Sequence, residues 1–303
     1  MNNQPVPNKN ALLKLATVAS VLVALGLTGI KGIAWYQTGS VAMLGSLLDS
    51  ILDTAASTIN LIFVRHALQP ADGRHRFGHG KAEPLGGLFQ AMIIGASAIF
   101  LVVESSRRLM DPVMPTNTGL GISIMLISSV VIGLLVLFQR HVVKHTDSLV
   151  VEADALHGFG DIVINLGVIF ALLVSTRFDA PYVDPIVGIA LSGILLRGAW
   201  QICRRAMRHL MDEEFSEEDR EKIQAIIAQH PHANAIHDLR TRRAGLSSFI
   251  QLHLELDGDM KLAEAHVIAD EVELLILQEF SDAEVLIHQD PHGEERVPSF
   301  FRT

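Results

Sequence analysis

Hydrophobic and polar positions divide this 303-residue chain near residue 211. Before that point lie six mostly apolar runs, at about 12–35, 40–64, 84–103, 119–138, 148–174 and 182–203. Each approaches the roughly 17–25 residues a helix needs to cross the hydrocarbon core of a bilayer. Runs such as "PLGGLFQAMIIGASAIFLVV" and "GLGISIMLISSVVIGLLVLF" carry no Asp, Glu, Lys or Arg and are unambiguous. Helices of a large soluble core buried on all sides are the alternative, but six runs of this length favour six transmembrane helices. The first run is too long for a signal-peptide core and more runs follow it, so it reads as an uncleaved first span.

After residue 211 the pattern changes period. A helix is expected over 216–230, with Ser216 as its cap and Glu217 and Glu218 in its first turn. Strands are expected near 234–243 and at "SFIQLHLEL", a helix over 261–280, and a last strand at "AEVLIHQD". In "SFIQLHLEL" alternation puts Ile250, Leu252, Leu254 and Leu256 on one face and Gln251, His253 and Glu255 on the other. This α-β-β-α-β order predicts a small α+β, ferredoxin-like, metallochaperone-like domain. The expected organisation is therefore a six-helix transmembrane domain over 1–211 and a soluble domain over 212–303.

Composition agrees with that division. Hydrophobic residues make up 49% of the chain, and the mean hydropathy is +0.34. Residues 1–211 carry 12 acidic and 16 basic side chains, whereas 212–303 carry 21 acidic and 8 basic. An acidic soluble surface argues against nucleic acid as a partner. Of the Lys and Arg residues near the ends of the spans, 11 fall on the side of the N-terminus. Four fall opposite, namely Lys31, Arg107, Arg108 and Arg177. The positive-inside rule then places both termini in the cytoplasm. Cys203 is the only cysteine, which excludes an internal disulfide and a thiolate metal cluster. No HExxH, phosphate-binding loop or nucleophile elbow occurs, so the chain lacks the motif chemistry of a protease or ATPase.

Two apolar runs nevertheless contain charge. Asp49 and Asp53 in "GSLLDSILD" share a helix face one turn apart, about 14 Å into the bilayer at roughly 1.5 Å per residue. His157 and Asp161 in "DALHGFGD" repeat the same spacing at a similar depth on the fifth run, which returns in the opposite direction. An ionised carboxylate at a helix centre costs about 2.5–3.5 kcal/mol, and no Lys or Arg is expected at that depth. A divalent cation held by three carboxylates and one imidazole would offset the cost, and such a set suits Zn²⁺. The alternative is that these groups are protonated or hydrogen-bonded packing polars. His157 adds a proton that metal must displace, the coupling a cation/proton exchanger requires.

Outside the spans, "ADGRHRFGHGK" offers Asp72, His75 and His79 as loop ligands, against the alternative of a basic loop with chance histidines. In the soluble domain His237, His253, His266, His288 and Asp290 are candidates, against ordinary surface histidines. Asp154, His141 and His145 are expected to be solvated near the interface, Glu104 to be interfacial, and Asp184 to cap a helix.

Taken together, the six spans, "GSLLDSILD", "DALHGFGD", "DGRHRFGHGK" and the C-terminal α-β-β-α-β domain resemble the cation diffusion facilitator family. The resemblance covers nearly the whole chain. It implies a homodimeric zinc/proton antiporter of the bacterial inner membrane that exports cytoplasmic Zn²⁺ by alternating access. Cd²⁺, Fe²⁺, Co²⁺ or Mn²⁺ are possible alternative cargo. The family's transport site would fall on Asp49, Asp53, His157 and Asp161, and its loop site on Asp72, His75 and His79. Its cytoplasmic binuclear site would fall on His237, His253, His266, His288 and Asp290, with Gln289 as a minor ligand. A charge interlock would fall on Lys81 and Asp212. Two rival readings remain: a membrane-anchored metal sensor whose buried cluster is structural, and a passive cation channel.

Overall fold

A computed structural model describes residues 9–38, 41–110, 119–178, 182–233 and 235–293. The chain separates into two compact units, Met1–Met207 and Arg208–Thr303. In the first, six helices follow one another: α1 (Lys9–Thr38), α2 (Val41–Ala67), α3 (Ala82–Met110), α4 (Gly119–Thr146), α5 (Leu149–Phe178) and α6 (Val183–Leu210). Each runs past the C-terminal end of its apolar run, and α2, α3, α4 and α6 finish in turns that carry Arg, Lys or His. Among the described residues, α1, α2, α3, α4 and α6 contain stretches long and apolar enough to cross a membrane. The remaining helix, α5, has 30 residues, and the side chains of its last turns lie outside those described. The chain is thus a multi-pass membrane protein.

The bundle buries polar side chains among small and branched apolar ones and leaves large apolar side chains on its outside. Leu22, Ile62, Phe100, Leu134 and Trp200 are exposed, whereas Asn60, Gln90, Gln139 and Ser192 are buried. Lipid is as apolar as leucine, so inward polar groups and close packing hold such helices together. One close approach depends on glycine: a Cβ at Gly86 of α3 would lie 2.8 Å from Phe63 Cβ of α2 and 2.7 Å from Val150 Cγ2 of α5. Just before it, the buried Glu83 accepts from Ser148 Oγ at 2.7 Å and from the Val150 backbone N–H at 3.0 Å, capping the start of α5. At the same end, Arg205 of α6 pairs with Glu152 and, at 3.0 Å, with Asp147.

The second unit contains α7 (Glu217–Ile227), β1 (Ala235–Ala244), β2 (Ser247–Leu256), α8 (Leu262–Glu279) and β3 (Ala283–Pro291). Ser216 Oγ caps α7 by accepting from the Asp219 N–H at 3.2 Å. The sheet order is β1-β2-β3, with β1 antiparallel and β3 parallel to β2. Ile250, Leu252, Leu254 and Leu256 face a core built with Phe215, Ile223, Ile227, Ile268, Val272 and Ile276. The other face of β2 is left for His253 and Glu255. The register places His237 of β1 opposite His253, and His253 beside His288 of β3, so three histidines form a row across the sheet.

Candidate metal centres

The antiparallel approach of α2 and α5 brings the intramembrane residues together. His157 Nε2 lies 2.9 Å from Asp53 Oδ1 and 4.0 Å from Asp161 Oδ2. One ligand atom from each of the three falls within 4.8 Å of the others. Asp49 stands apart from this trio but lines the same cavity, of about 570 Å³. From the trio the cavity extends past Ser97, Phe100 and Asn165, towards the end of the bundle where α1 stops and α2 begins. One imidazole and carboxylate oxygens around a space of this size suit a borderline divalent cation that must enter and leave.

Two expectations about this region are overturned. Lys31, counted with the loop charges, lies inside the bundle: its Nζ donates to Ser50 Oγ at 2.6 Å, and it lines the cavity beside Asp49. Sequence distance from a helix end could not show this, because a lysine near an interface is free to extend either way along its helix. Asp154, expected to be solvated, is buried. It accepts from Gln139 Nε2 at 2.6 Å and Asn60 Nδ2 at 3.3 Å, and Gln139 also donates to Ser20 Oγ at 2.9 Å. Asn60 donates further to Gln90 Oε1 at 3.3 Å. Residues from α1 to α5 thereby close the bundle on the side of the trio away from the large cavity. Asp154 and Gln139 also line a smaller cavity of about 50 Å³ that Asp53, His157 and Asp161 reach.

The loop after α2 gathers its three expected residues. His79 Nε2 lies 3.1 Å from His75 Nδ1 and 3.4 Å from Asp72 Oδ2, while His75 Nδ1 is 3.3 Å from Asp72 Oδ1. Asp72 Oδ1 also accepts the backbone N–H groups of His75 and Arg74, which hold its carboxyl below the ordinary 3.8. His66 at the end of α2 stacks edge-on against His79, with ring centroids 4.7 Å apart; nothing in the spacing of the loop pointed to it.

On the sheet, Asp290 is the hub. Its Oδ2 lies 2.6 Å from His253 Nδ1 and 3.3 Å from His237 Nε2, and its Oδ1 lies 3.2 Å from His288 Nε2. His237 Nε2 is buried and makes no hydrogen bond, an orphaned nitrogen facing a carboxylate, as a ligand awaiting a cation would be. Burial alone would raise the Asp290 carboxyl, but the His253 hydrogen bond and the charges of His288, His253 and His237 outweigh it and hold it below 3.8. Two expected ligands do not join. His266 is exposed on α8, 3.6 Å from Asp270, and Gln289 alternates onto the face of β3 that carries Val285 and Ile287 to the core.

Two residues missed in the sequence do join. Asp238 sits 3.8 Å from His253 Nε2 in an irregularity of β1 after His237, with a left-handed φ of 47°. Glu255 lies 3.1 Å from His237 Nδ1 and 2.7 Å from His292 Nδ1. Glu255 was legible as a neighbour of His253 by alternation; the break in strand register that turns Asp238 was not. Asp212 bonds Arg242 at 3.3 Å within its own unit. His141 and His145 are exposed, with ring centroids 4.5 Å apart, and Glu104 pairs with Arg108 at 3.1 Å.

Residues 17–211 match the cation efflux transmembrane domain, and residues 215–292 match the cytoplasmic domain of cation efflux proteins. Among curated relatives, Protein p34 of Rickettsia rickettsii is 41% identical over 96% of this chain and 96% of its own. The cation-efflux pump FieF of Shewanella oneidensis is 43% identical over 92% of this chain and 94% of its own. A solved structure, the metal-bound C-terminal domain of the CzcD transporter from Thermotoga maritima, is 31% identical, with a TM-score of 0.24. It covers 25% of this chain and 90% of its own.

Proposed function

This chain belongs to the cation diffusion facilitator family of divalent-cation efflux pumps, and we propose that its cargo is Zn²⁺, exchanged for protons by alternating access. The observation that carries this reading is the trio of Asp53, His157 and Asp161 facing a cavity between helices. Asp49 completes the ligand set from the cavity wall. A cation held by carboxylates and one neutral imidazole binds in competition with protons, so an acidic exterior favours release. With both termini in the cytoplasm of a bacterial inner membrane, the large cavity faces outward. The Asn60, Gln139 and Asp154 bonds then seal the cytoplasmic side. Reorientation would open that seal and close the cavity, so that the trio meets each side in turn.

The soluble cluster is assigned a holding role in a homodimer. His237, His253, His288 and Asp290 would bind metal that stabilises the folded domain, and His266, exposed on α8, is free to meet a second copy. Asp72, His75 and His79 would form the loop site. A sensor would bind metal without flux, and a channel would ignore the proton gradient. Zn²⁺ flux into liposomes under an imposed pH gradient decides among them. Gradient-dependent flux that Asp49→Ala or Asp53→Ala abolishes is expected, and flux of wild-type size in either variant overturns the site.

A further inference from the structure

Among the described residues, Lys31 is the one lysine or arginine lining the transport cavity. A lysine about two turns from its helix end, at Thr38, would ordinarily extend its ammonium outward to the interface. Here the ammonium turns inward instead. Its Nζ donates to Ser50 Oγ at 2.6 Å, and Ser50 follows Asp49 directly, in the turn that leads to Asp53. The contact is held in place by a threonine ladder between α1 and α2. Thr28 Oγ1 donates to the Ser50 carbonyl at 2.9 Å and meets Thr54 Oγ1 at 3.0 Å, and Thr54 Oγ1 also bonds the Ser50 carbonyl at 2.8 Å. The ammonium is within electrostatic reach of Asp49 and of Asp161 across the cavity.

We propose that Lys31 sets the charge selectivity and the affinity of the transport site, acting as a permanent internal cation beside the cargo. This inference rests on the transport-site reading above. Of the groups lining the large cavity, Asp49, Asp53 and Asp161 bring three negative charges and His157 binds metal as a neutral imidazole; Asp154, beyond His157, does not line it and is held by Asn60 and Gln139. A divalent cation cancels two of the three, and Lys31 cancels the last. The loaded site is then neutral as the helices carry it across a medium in which net charge is costly. The same ammonium repels the cargo and lowers its affinity, which a carrier needs because its cation must leave.

The test uses the full-length protein in nanodiscs at one fixed pH, with His75→Ala and His237→Ala present to weaken the loop and sheet sites. Zn²⁺ affinity and proteoliposome turnover are measured for wild type, Lys31→Met, Lys31→Gln and Lys31→Arg. Removing the charge in Lys31→Met or Lys31→Gln is expected to tighten Zn²⁺ binding at least about tenfold and to slow turnover at saturating Zn²⁺. Lys31→Arg, which keeps the charge, is expected to match wild type within about threefold in affinity. Gln retains a hydrogen-bond donor for Ser50, so it reports on charge even if Met disturbs the helix pair. Unchanged affinity in Lys31→Gln, or equal changes in Lys31→Gln and Lys31→Arg, overturns the proposal. If Asp53→Ala binds and moves Zn²⁺ like wild type, the transport-site reading itself has failed, whatever Lys31 does.

Discussion

The intramembrane trio and the sheet cluster use the same chemistry, imidazole and carboxylate, in opposite settings. Asp290 has both oxygens engaged by histidines that strand register fixes in a row. Asp53 meets one histidine, Asp161 stands 4.0 Å from it, and Asp49 faces an open cavity with a lysine opposite. A ligand set locked by a sheet holds its ion. A set divided between two helices, with a competing cation on its wall, is built to let the ion go. Binding energy spent on retention lowers transport, so the looser geometry suits a carrier and the tighter one a structural site.

The largest contrast is in flux. Asp53→Ala should reduce gradient-driven Zn²⁺ transport at least about a hundredfold, because it removes a ligand and leaves His157 without its partner. Asp290→Ala should leave most of the flux in place; equal losses from the two variants would erase the division of roles. Protein stability comes next. Asp154→Ala leaves one N–H each of Asn60 and Gln139 without an acceptor in a buried layer, while their bonds to Gln90 and Ser20 remain; at about 1–3 kcal/mol for each unsatisfied group it should lower the melting temperature in detergent. Asp238→Ala, in a partly exposed pair with Arg240, should shift it far less.

Metal removal separates the clusters a third way. Chelation should speed hydrogen exchange in β1, β2 and β3, since a ligand at a hundred times its Kd stabilises the folded state by about 2.7 kcal/mol. Exchange across the membrane helices should change less, and a uniform change along the chain would argue against a holding role for the sheet. The smallest effect is the acid response of the metal-free sheet. The Asp290 carboxyl is held below 3.8, so the stability it contributes is fully present above that pH and is lost only as pH falls further. Zn²⁺ affinity there should decline at a higher pH than metal-free stability does, because protons compete with the metal for its ligands. Coincident losses of affinity and metal-free stability would show that Asp290 is not held low.

Much of this was legible in one dimension. The spans, the soluble domain and the i, i+4 pairs follow from periodicity, because a helix face and a strand face repeat at fixed intervals. Alternation in "SFIQLHLEL" assigned the core face of β2, and family resemblance singled out the loop and sheet histidines as candidates. Other features depended on which helix meets which. Asp154 looked like an interfacial carboxylate and is a buried junction of five helices; Lys31 looked like a loop charge and lines the cavity. His266 and Gln289 carried plausible ligand chemistry but face away from the sheet cluster, while a break in register turned Asp238 towards it. The sequence by itself determined the elements, their faces and the chemical types present, since these depend on local periodicity. Only the tertiary structure decided which long side chains point inward and which carboxylates are locked, because burial and hydrogen-bond partners come from residues distant in the chain.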